Sequence, residues 1–264
     1  MDKFTVPVVM TFTSHDPMGV DGIHADIETL FSLSCRATAI ATGITAQNSK
    51  GINDYVSTPT SLIIEQARAV LDEIPIAAFK IGAVSNTEMV AAIHTILKEK
   101  AHIPVVCCLT KDVIGSDTSP NFNLATALCT LIAPLSTVLV TDQETAGVLA
   151  PEADTTDARA QKLMEFGSEY VFIKGCDPDS PVIKNSLYSH HRLIEEFNWD
   201  RIPGNYKGCG CTLTAAFTGF LAHGLVPHHA VLESQQYTLS CIQQGHRLGL
   251  GLKFLTRIFG AGNI

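Results

Sequence analysis

No stretch of this sequence approaches the roughly 18 consecutive apolar residues that a membrane-spanning helix requires. The opening Met1-Asp2-Lys3-Phe4-Thr5-Val6-Pro7 has too short an apolar run for a secretory signal and no small-residue cleavage pattern behind it. Basic residues are few and scattered: 18 Lys and Arg stand against 26 Asp and Glu, a formal charge of −8. That balance argues against a nucleic-acid or anionic-membrane surface, either of which calls for clustered cations. No internal repeat, low-complexity tract or Pro/Gly/Ser-rich linker divides the chain, so one domain over residues 1–264 is expected. A Gly-x-x-x-x-Gly-Lys-Ser/Thr motif is missing, which removes a Walker-type NTPase. Zinc-finger spacing is missing as well: Cys209-x-Cys211 is too close, Cys107 and Cys108 would face opposite sides of a strand, and the pairs His190-His191 and His228-His229 are adjacent.

The sequence does contain 46% hydrophobic residues, enough for a sizeable core. Its eight cysteines lie mostly inside apolar segments, as reduced thiols that pack as small core residues, and this points to the cytoplasm. Short β-branched runs at Val6–Phe12, Ala37–Thr42, Ala77–Ile81, Ile103–Cys108, Thr137–Thr141 and Tyr170–Lys174 predict buried strands. Between them, Asp21–Leu33, Ser61–Asp72, Thr87–Glu99, Asn123–Leu131 and Thr156–Phe166 carry apolar residues at helical spacing. The alternation predicts an α/β fold, a mostly parallel central sheet covered by helices on both faces. Cys211–His223 is apolar almost all round, as in a central buried helix, and a second helix is expected over His228–Leu248. Gly175–Pro203 reads as a loop and short hairpin strands at the sheet edge. Ligands of such folds bind beyond the carboxyl ends of the strands, so the loops there are where chemistry is expected.

Tyr206-Lys207-Gly208-Cys209-Gly210-Cys211 runs straight into the buried helix. Two glycines allow a tight turn whose N–H groups converge, and the helix N-terminus adds partial positive charge, so the turn can serve as an anion hole. Cys211, in the first helical turn where a thiol pKa tends to fall, could deprotonate an alcohol. The same Gly-x-Gly is equally an ordinary close-packed turn. In Ser14–Asp26, spaced glycines follow Asp16-Pro17; Asp21 reads as an N-cap or a first-turn acid, and Asp26 as either a surface carboxylate or an acceptor for a ligand amine. Gln47-Asn48 either ends the second strand or offers an amide to a heterocycle edge. Lys174, beside Gly175 at a strand end, could reach nucleotide phosphate, and Glu144 could bind magnesium through water.

Taken in order, these segments resemble the hydroxymethylpyrimidine/phosphomethylpyrimidine kinases of thiamine biosynthesis, within the ribokinase-like superfamily that also holds pyridoxal kinases. Ser14–Asp26 is similar to that family's Gly-Ser/Thr-Asp-Pro-Ser-Gly-Gly-Ala-Gly-Ile-Gln-Ala-Asp. Thr45–Asn48 and Lys80-Ile81-Gly82 are similar to its Ala-Gln-Asn and Lys-Ile-Gly-Met, and Gly208–Leu213 to its Gly-Ser/Thr-Gly-Cys-Thr/Ser-Leu. The resemblance implies a three-layer ribokinase-like fold without a large lid, a homodimer, and ATP and Mg2+ as cofactors. It implies transfer of the ATP γ-phosphoryl group to a hydroxymethylpyrimidine, to its monophosphate, or to both. Asp26, Gln47 and Gly19 would then bind the pyrimidine, Cys211 would be the base, and Gly208, Cys209 and Gly210 the anion hole. Lys174, Thr141 and Lys207 would serve the nucleotide, and Glu144 the metal.

The chain departs from the family pattern at Val20, Asp21 and His24 in the first loop and at Cys107-Cys108-Leu109-Thr110, where the family carries Val-Asp-Pro-Val. Further departures are Asp142 in place of an asparagine, Cys176-Asp177 in place of Gly-His, and Lys207 in place of histidine. These motivate two other readings, a non-catalytic pyrimidine-binding paralogue and a pyridoxal or pyridoxine kinase.

Overall fold

The computed structural model describes residues 6–48, 51–110, 115–116, 119–120, 122–175, 177, 179–249 and 251–258. The chain divides into two compact units, Met1–Val84 with Ile202–Ile264, and Ser85–Arg201.

The first unit opens with β1 (Val8–His15), α1 (Gly22–Ser32), β2 (Arg36–Asn48), β3 (Gly51–Ser57), α2 (Thr60–Leu71) and β4 (Ala78–Ile81). β1 pairs in parallel with both β2 and β4, and β2 pairs antiparallel with β3. Val9 through Thr13 of β1 and all of β4 are buried, the continuous burial expected of strands covered on two faces. β2 is longer than its apolar run predicts. It continues through Asn48 because β3, absent from the sequence reading, pairs with its outer half from Gly43 onward.

The second unit contains α3 (Thr87–Glu99), β5 (Val105–Cys108), a two-residue pairing of β6 (Gly115–Ser116) with β7 (Ser119–Pro120), and α4 (Phe122–Ala127). There follow β8 (Val138–Asp142), α5 (Gln143–Leu149), α6 (Thr156–Met164), β9 (Tyr170–Lys174), β10 (Val182–Ser189) and β11 (Arg192–Asp200). β5, β8 and β9 are parallel, while β10 and β11 extend that sheet antiparallel as a hairpin of full-length strands, longer than the short ones expected. The Asn86 side chain caps α3 by accepting from Met89 N at 2.8 Å. The helix expected over Asn123–Leu131 is α only to Ala127, then a π turn over Leu128–Ile132 and a 3-10 turn containing Pro134, whose ring cannot continue the ladder.

The chain finishes in the first unit with β12 (Tyr206–Lys207), α7 (Cys209–Ala222), α8 (Pro227–Gln243) and β13 (Lys253–Phe254). Nine residues of α7 from Thr212 to Leu221 are buried, as the all-round apolar pattern requires. α8 stops five residues short of the expected Leu248. Gly245 enters a turn too tight for a Cβ, between Ile242 O and Phe254 O, and His246 then bridges to Phe254. Every described cysteine is free, and no helix among the described residues is long and apolar enough to cross a membrane.

Candidate active site

Asp16 builds the first loop. It is buried, and its carboxylate accepts from Met18 N at 2.8 Å and from Val20 N and Asp21 N at 3.0 Å each. Burial alone would raise its pKa; the Met18 and Asp21 N–H groups, the Gln47 side chain and the Val20 N–H outweigh burial and hold the carboxyl below its ordinary range. Gln47, expected either to end a strand or to offer its amide to a substrate, lies within β2, and its side chain helps hold the Asp16 pKa down. Gly19 and Gly22 adopt positive φ, and a Cβ at Gly22 would collide with the Ser14 carbonyl.

The second component is the turn into α7. Gly208 has φ +92°, and a Cβ there would strike both the Val20 carbonyl and the Arg257 guanidinium, so only glycine lets the turn lie against the first loop. Cys209, Gly210 and Cys211 form the first helical turn beyond it, and no side chain caps the helix. The Thr212 hydroxyl donates to Gly208 O at 2.8 Å.

Arg257 locks loop and turn together. Only 3% exposed, it donates from Nε to Thr212 Oγ1 at 2.8 Å, from Nη1 to Gly19 O at 3.2 Å and Glu28 Oε2 at 3.0 Å, and from Nη2 to Val20 O. Its own carbonyl accepts from the Tyr237 hydroxyl at 2.6 Å. The planar guanidinium can serve four acceptors in one plane as an ammonium cannot. The sequence reading missed this residue. Arg257 carries no motif, and its partners lie far away in the chain.

Two carboxylates flank the turn. Asp26, expected to face a ligand amine, is 0% exposed, with Lys80 Nζ 2.9 and 3.0 Å from its two oxygens. Asp26 is enclosed there because a lysine inside a wholly buried strand requires a counter-charge. Asp21 stands at the N-cap of α1 without capping it. Its carboxylate lies 3.9 Å from Lys207 Nζ. Lys207, expected to serve nucleotide phosphate, thus has a partner within its own chain. Burial raises the Asp21 pKa, and Lys207 and the thiol partly offset the rise.

For the Cys211 thiol the direction is opposite to the one expected of a helix N-terminus. Burial pushes that thiol up, and the Asp21 and Asp26 carboxylates add to the shift against the opposing effects of Lys80 and the Gly22 N–H.

In the second unit, Lys174 is half-buried at the end of β9, in register with Asp142 of β8. Thr141, expected to serve the nucleotide, is wholly buried within β8 and offers no open hydroxyl. Asp142 caps α5 through Thr145 N at 2.8 Å, and Asp177 holds a turn through Asp179 N at 3.0 Å. Both departures from the family pattern therefore have structural work. Gly175 N donates to Asn185 Oδ1 at 2.9 Å, Cys108 is buried at the end of β5, and Cys176 lies outside the described residues. Glu144 is exposed in the first turn of α5; among the described residues no group of three or more His, Cys, Asp and Glu side chains could hold a metal ion.

A family model described as phosphomethylpyrimidine kinase matches residues 16–255. The hydroxymethylpyrimidine/phosphomethylpyrimidine kinase of Streptomyces coelicolor is 29% identical over 260 residues, covering 94% of this chain and 93% of its own. Among solved structures, the chain is similar to the ADP complex of Bacillus subtilis pyridoxal kinase, with a TM-score of 0.87 and 24% identity over 96% of this chain and 98% of that one. It is also similar to the phosphomethylpyrimidine kinase of Clostridium difficile, with a TM-score of 0.74 and 24% identity over 90% and 100%. These likenesses show the ribokinase-like fold, with a mostly parallel sheet flanked by helices. With the match extending from the Asp16 loop through the Gly208 turn to Leu255, the chain belongs to the phosphomethylpyrimidine kinase family.

Proposed function

We propose that this protein transfers the γ-phosphoryl group of ATP to the hydroxymethyl oxygen of 4-amino-5-hydroxymethyl-2-methylpyrimidine, and to the phosphate of the resulting monophosphate. The observation that carries the reading is the Gly208 turn: a left-handed glycine wedged against Val20 and Arg257 opens an uncapped 14-residue helix whose first N–H groups can meet developing phosphoryl charge. Transfer forms the O–P bond as the bond from the γ-phosphorus to the β,γ-bridging oxygen breaks, and ADP leaves with that electron pair. Lys174 would meet phosphate oxygens as a point charge. Magnesium, which keeps several waters and takes one or two carboxylates beside substrate phosphates, would be held by the exposed Glu144 and the nucleotide. The names of the relatives support ATP and pyrimidine as substrates.

Free described thiols support a cytoplasmic setting. A homodimer would cover Ile44, Ile52 and Val56, each more than half exposed on the β2–β3 hairpin.

The test is coupled ADP release by purified protein with magnesium-ATP and the hydroxymethylpyrimidine, beside pyridoxal and a blank without acceptor. Pyrimidine-dependent release above the blank supports the reading. Release with pyridoxal alone moves the substrate, and no release from folded protein with either acceptor overturns the kinase assignment.

A further inference from the structure

We propose that Arg257 is a positioning residue for the transfer: it sets the peptides of the Asp16–Gly22 loop and, through Thr212, holds that loop to the Gly208 turn. This rests on the kinase reading above and deepens it. In that reading the turn meets the phosphoryl group, and the family resemblance assigns the loop to the acceptor.

The loop is held from two sides. The N–H groups of Met18, Gly19, Val20 and Asp21 all end on Asp16: Gly19 N on its carbonyl at 3.1 Å, the others on its carboxylate at 2.8 to 3.0 Å. The carbonyls of Gly19 and Val20 point the other way and end on Nη1 and Nη2 of Arg257. The peptide between Gly19 and Val20, and the next one between Val20 and Asp21, therefore each have the N–H on a carboxylate and the C=O on a guanidinium. Once one end is released such a peptide can turn over, and Gly19, at φ +69°, puts no side chain in its way.

The same guanidinium reaches the turn. Its Nε donates to Thr212 Oγ1 at 2.8 Å, and that hydroxyl donates in turn to Gly208 O at 2.8 Å. Gly208, without a Cβ, lies directly against Val20 O and Arg257. One planar group thus fixes both the direction of the loop's peptides and the spacing between loop and turn.

The C-terminal segment delivers the side chain to this place. β13 pairs in parallel with β12, Thr256 N donates to Cys241 O of α8 at 3.2 Å, and the Tyr237 hydroxyl donates to Arg257 O at 2.6 Å. Of the four acceptors on the guanidinium, Glu28 carries charge and the other three are neutral groups of the loop and the turn. A buried, fully bonded ion gains little stability over an apolar side chain of its size, because its partners return about what the lost water cost. What it adds here is direction. A misplacement of about 1 Å can cost about 100-fold in a transfer that depends on alignment.

Wild-type, R257A, R257K and T212V proteins are compared below their unfolding midpoints for kcat, pyrimidine KM and backbone hydrogen exchange of segments 16–22 and 208–212. We expect R257A to lose about 100-fold in kcat with KM changed a few fold. Its exchange should quicken by at least about tenfold in both segments. Guanidinium ion, entering the space left by the side chain, should restore about tenfold of the lost kcat, and methylammonium at the same concentration should not, since it lacks the planar fork. R257K should fold and keep a depressed kcat. T212V should quicken exchange at the turn and leave the loop within about twofold of wild type.

R257A or R257K turnover within about twofold of wild type, or unchanged exchange in either segment of R257A, overturns the assignment and leaves the kinase reading intact. No rescue, or equal rescue by both ions, overturns the part given to the planar group. If R257A does not fold, wild-type exchange at the loop of R257K or at the turn of T212V overturns the assignment by itself. Wild-type protein without pyrimidine-dependent turnover overturns the kinase reading and the positioning role with it, while faster exchange in R257A still establishes the clamp.

Discussion

Two aspartate–lysine pairs lie on either side of the same helical turn, and they differ in almost every physical respect. Asp26 and Lys80 are enclosed, with contacts of 2.9 and 3.0 Å and no more than 1% exposure on either side chain. Asp21 and Lys207 stand 3.9 Å apart, 32% and 22% exposed. In the enclosed pair each ion has lost its water and is held by the other, so neither can be given up for chemistry. In the open pair water still screens the attraction, and the carboxylate can change its proton or its partner without unfolding anything. Burial thus sets the two pairs apart, although the sequence presents four similar charged residues.

The comparison is broken most sharply at its buried side. Asp26→Asn leaves Lys80 as an uncompensated buried cation, and Lys80→Met does the reverse; either should cost about 3–5 kcal/mol of unfolding free energy. The double replacement Asp26→Leu with Lys80→Met removes both charges and should recover most of that loss, because an apolar pair of similar volume is often neutral or better. Urea unfolding of the three variants gives the coupling directly. Additive losses would show that the pair is not held as a unit. Lys207→Gln, in the open pair, should stay within about 1 kcal/mol of wild type in the same measurement.

A second, intermediate effect is expected at Arg257, which joins the framework to the reactive turn. Arg257→Ala frees the carbonyls of Gly19 and Val20, the Thr212 hydroxyl and Glu28, at a cost of about 2–3 kcal/mol in stability. Arg257→Lys restores the charge but not the fork, so it should recover part of the stability while kcat stays depressed, since the Gly208 turn is no longer set against Val20. Recovery of stability and kcat together in the lysine variant would reduce Arg257 to a charge.

How far the sequence foretold these features depends on how local their causes are. α3 and β9 have the expected bounds because apolar spacing and an Asn cap suffice to define them. The β2–β3 hairpin was not legible: Asn53, Asp54 and other exposed residues hide its period, and pairing with β2 is what makes it a strand. α5 escaped because seven residues with a glycine among them give too little helical period. In the site, the Gly208–Cys211 turn could be read because glycine identity itself carries the constraint. Arg257 could not, since Thr212 lies 45 residues away and Val20 lies 237 away. Asp21 was legible as an N-cap or a first-turn acid, and it occupies the N-cap position without a side-chain capping bond.

Asp16 gives the smallest effect and the one with the clearest sign. Its carboxyl sits below the ordinary range because its ionised form is bound by backbone N–H groups in the folded protein only. A depressed folded pKa contributes stability that is complete above the unfolded value and is lost as pH falls toward the folded one. Between neutral pH and the ordinary carboxylate range, Asp16→Asn should therefore lower stability by a roughly constant amount, about 1–2 kcal/mol. Below that range the wild-type protein should lose its advantage and the two unfolding curves should converge. Asp21, with its pKa moved the opposite way, should give a difference of opposite sign: Asp21→Asn is relieved of a burial cost at neutral pH, and that gain disappears as acid protonates the wild-type carboxylate. Parallel urea titrations of Asp16→Asn and Asp21→Asn between neutral and acid pH separate a carboxylate whose charge holds the loop from one whose charge is a cost to it; a neutral-pH difference of the same sign in both variants would mean that the loop treats the two alike.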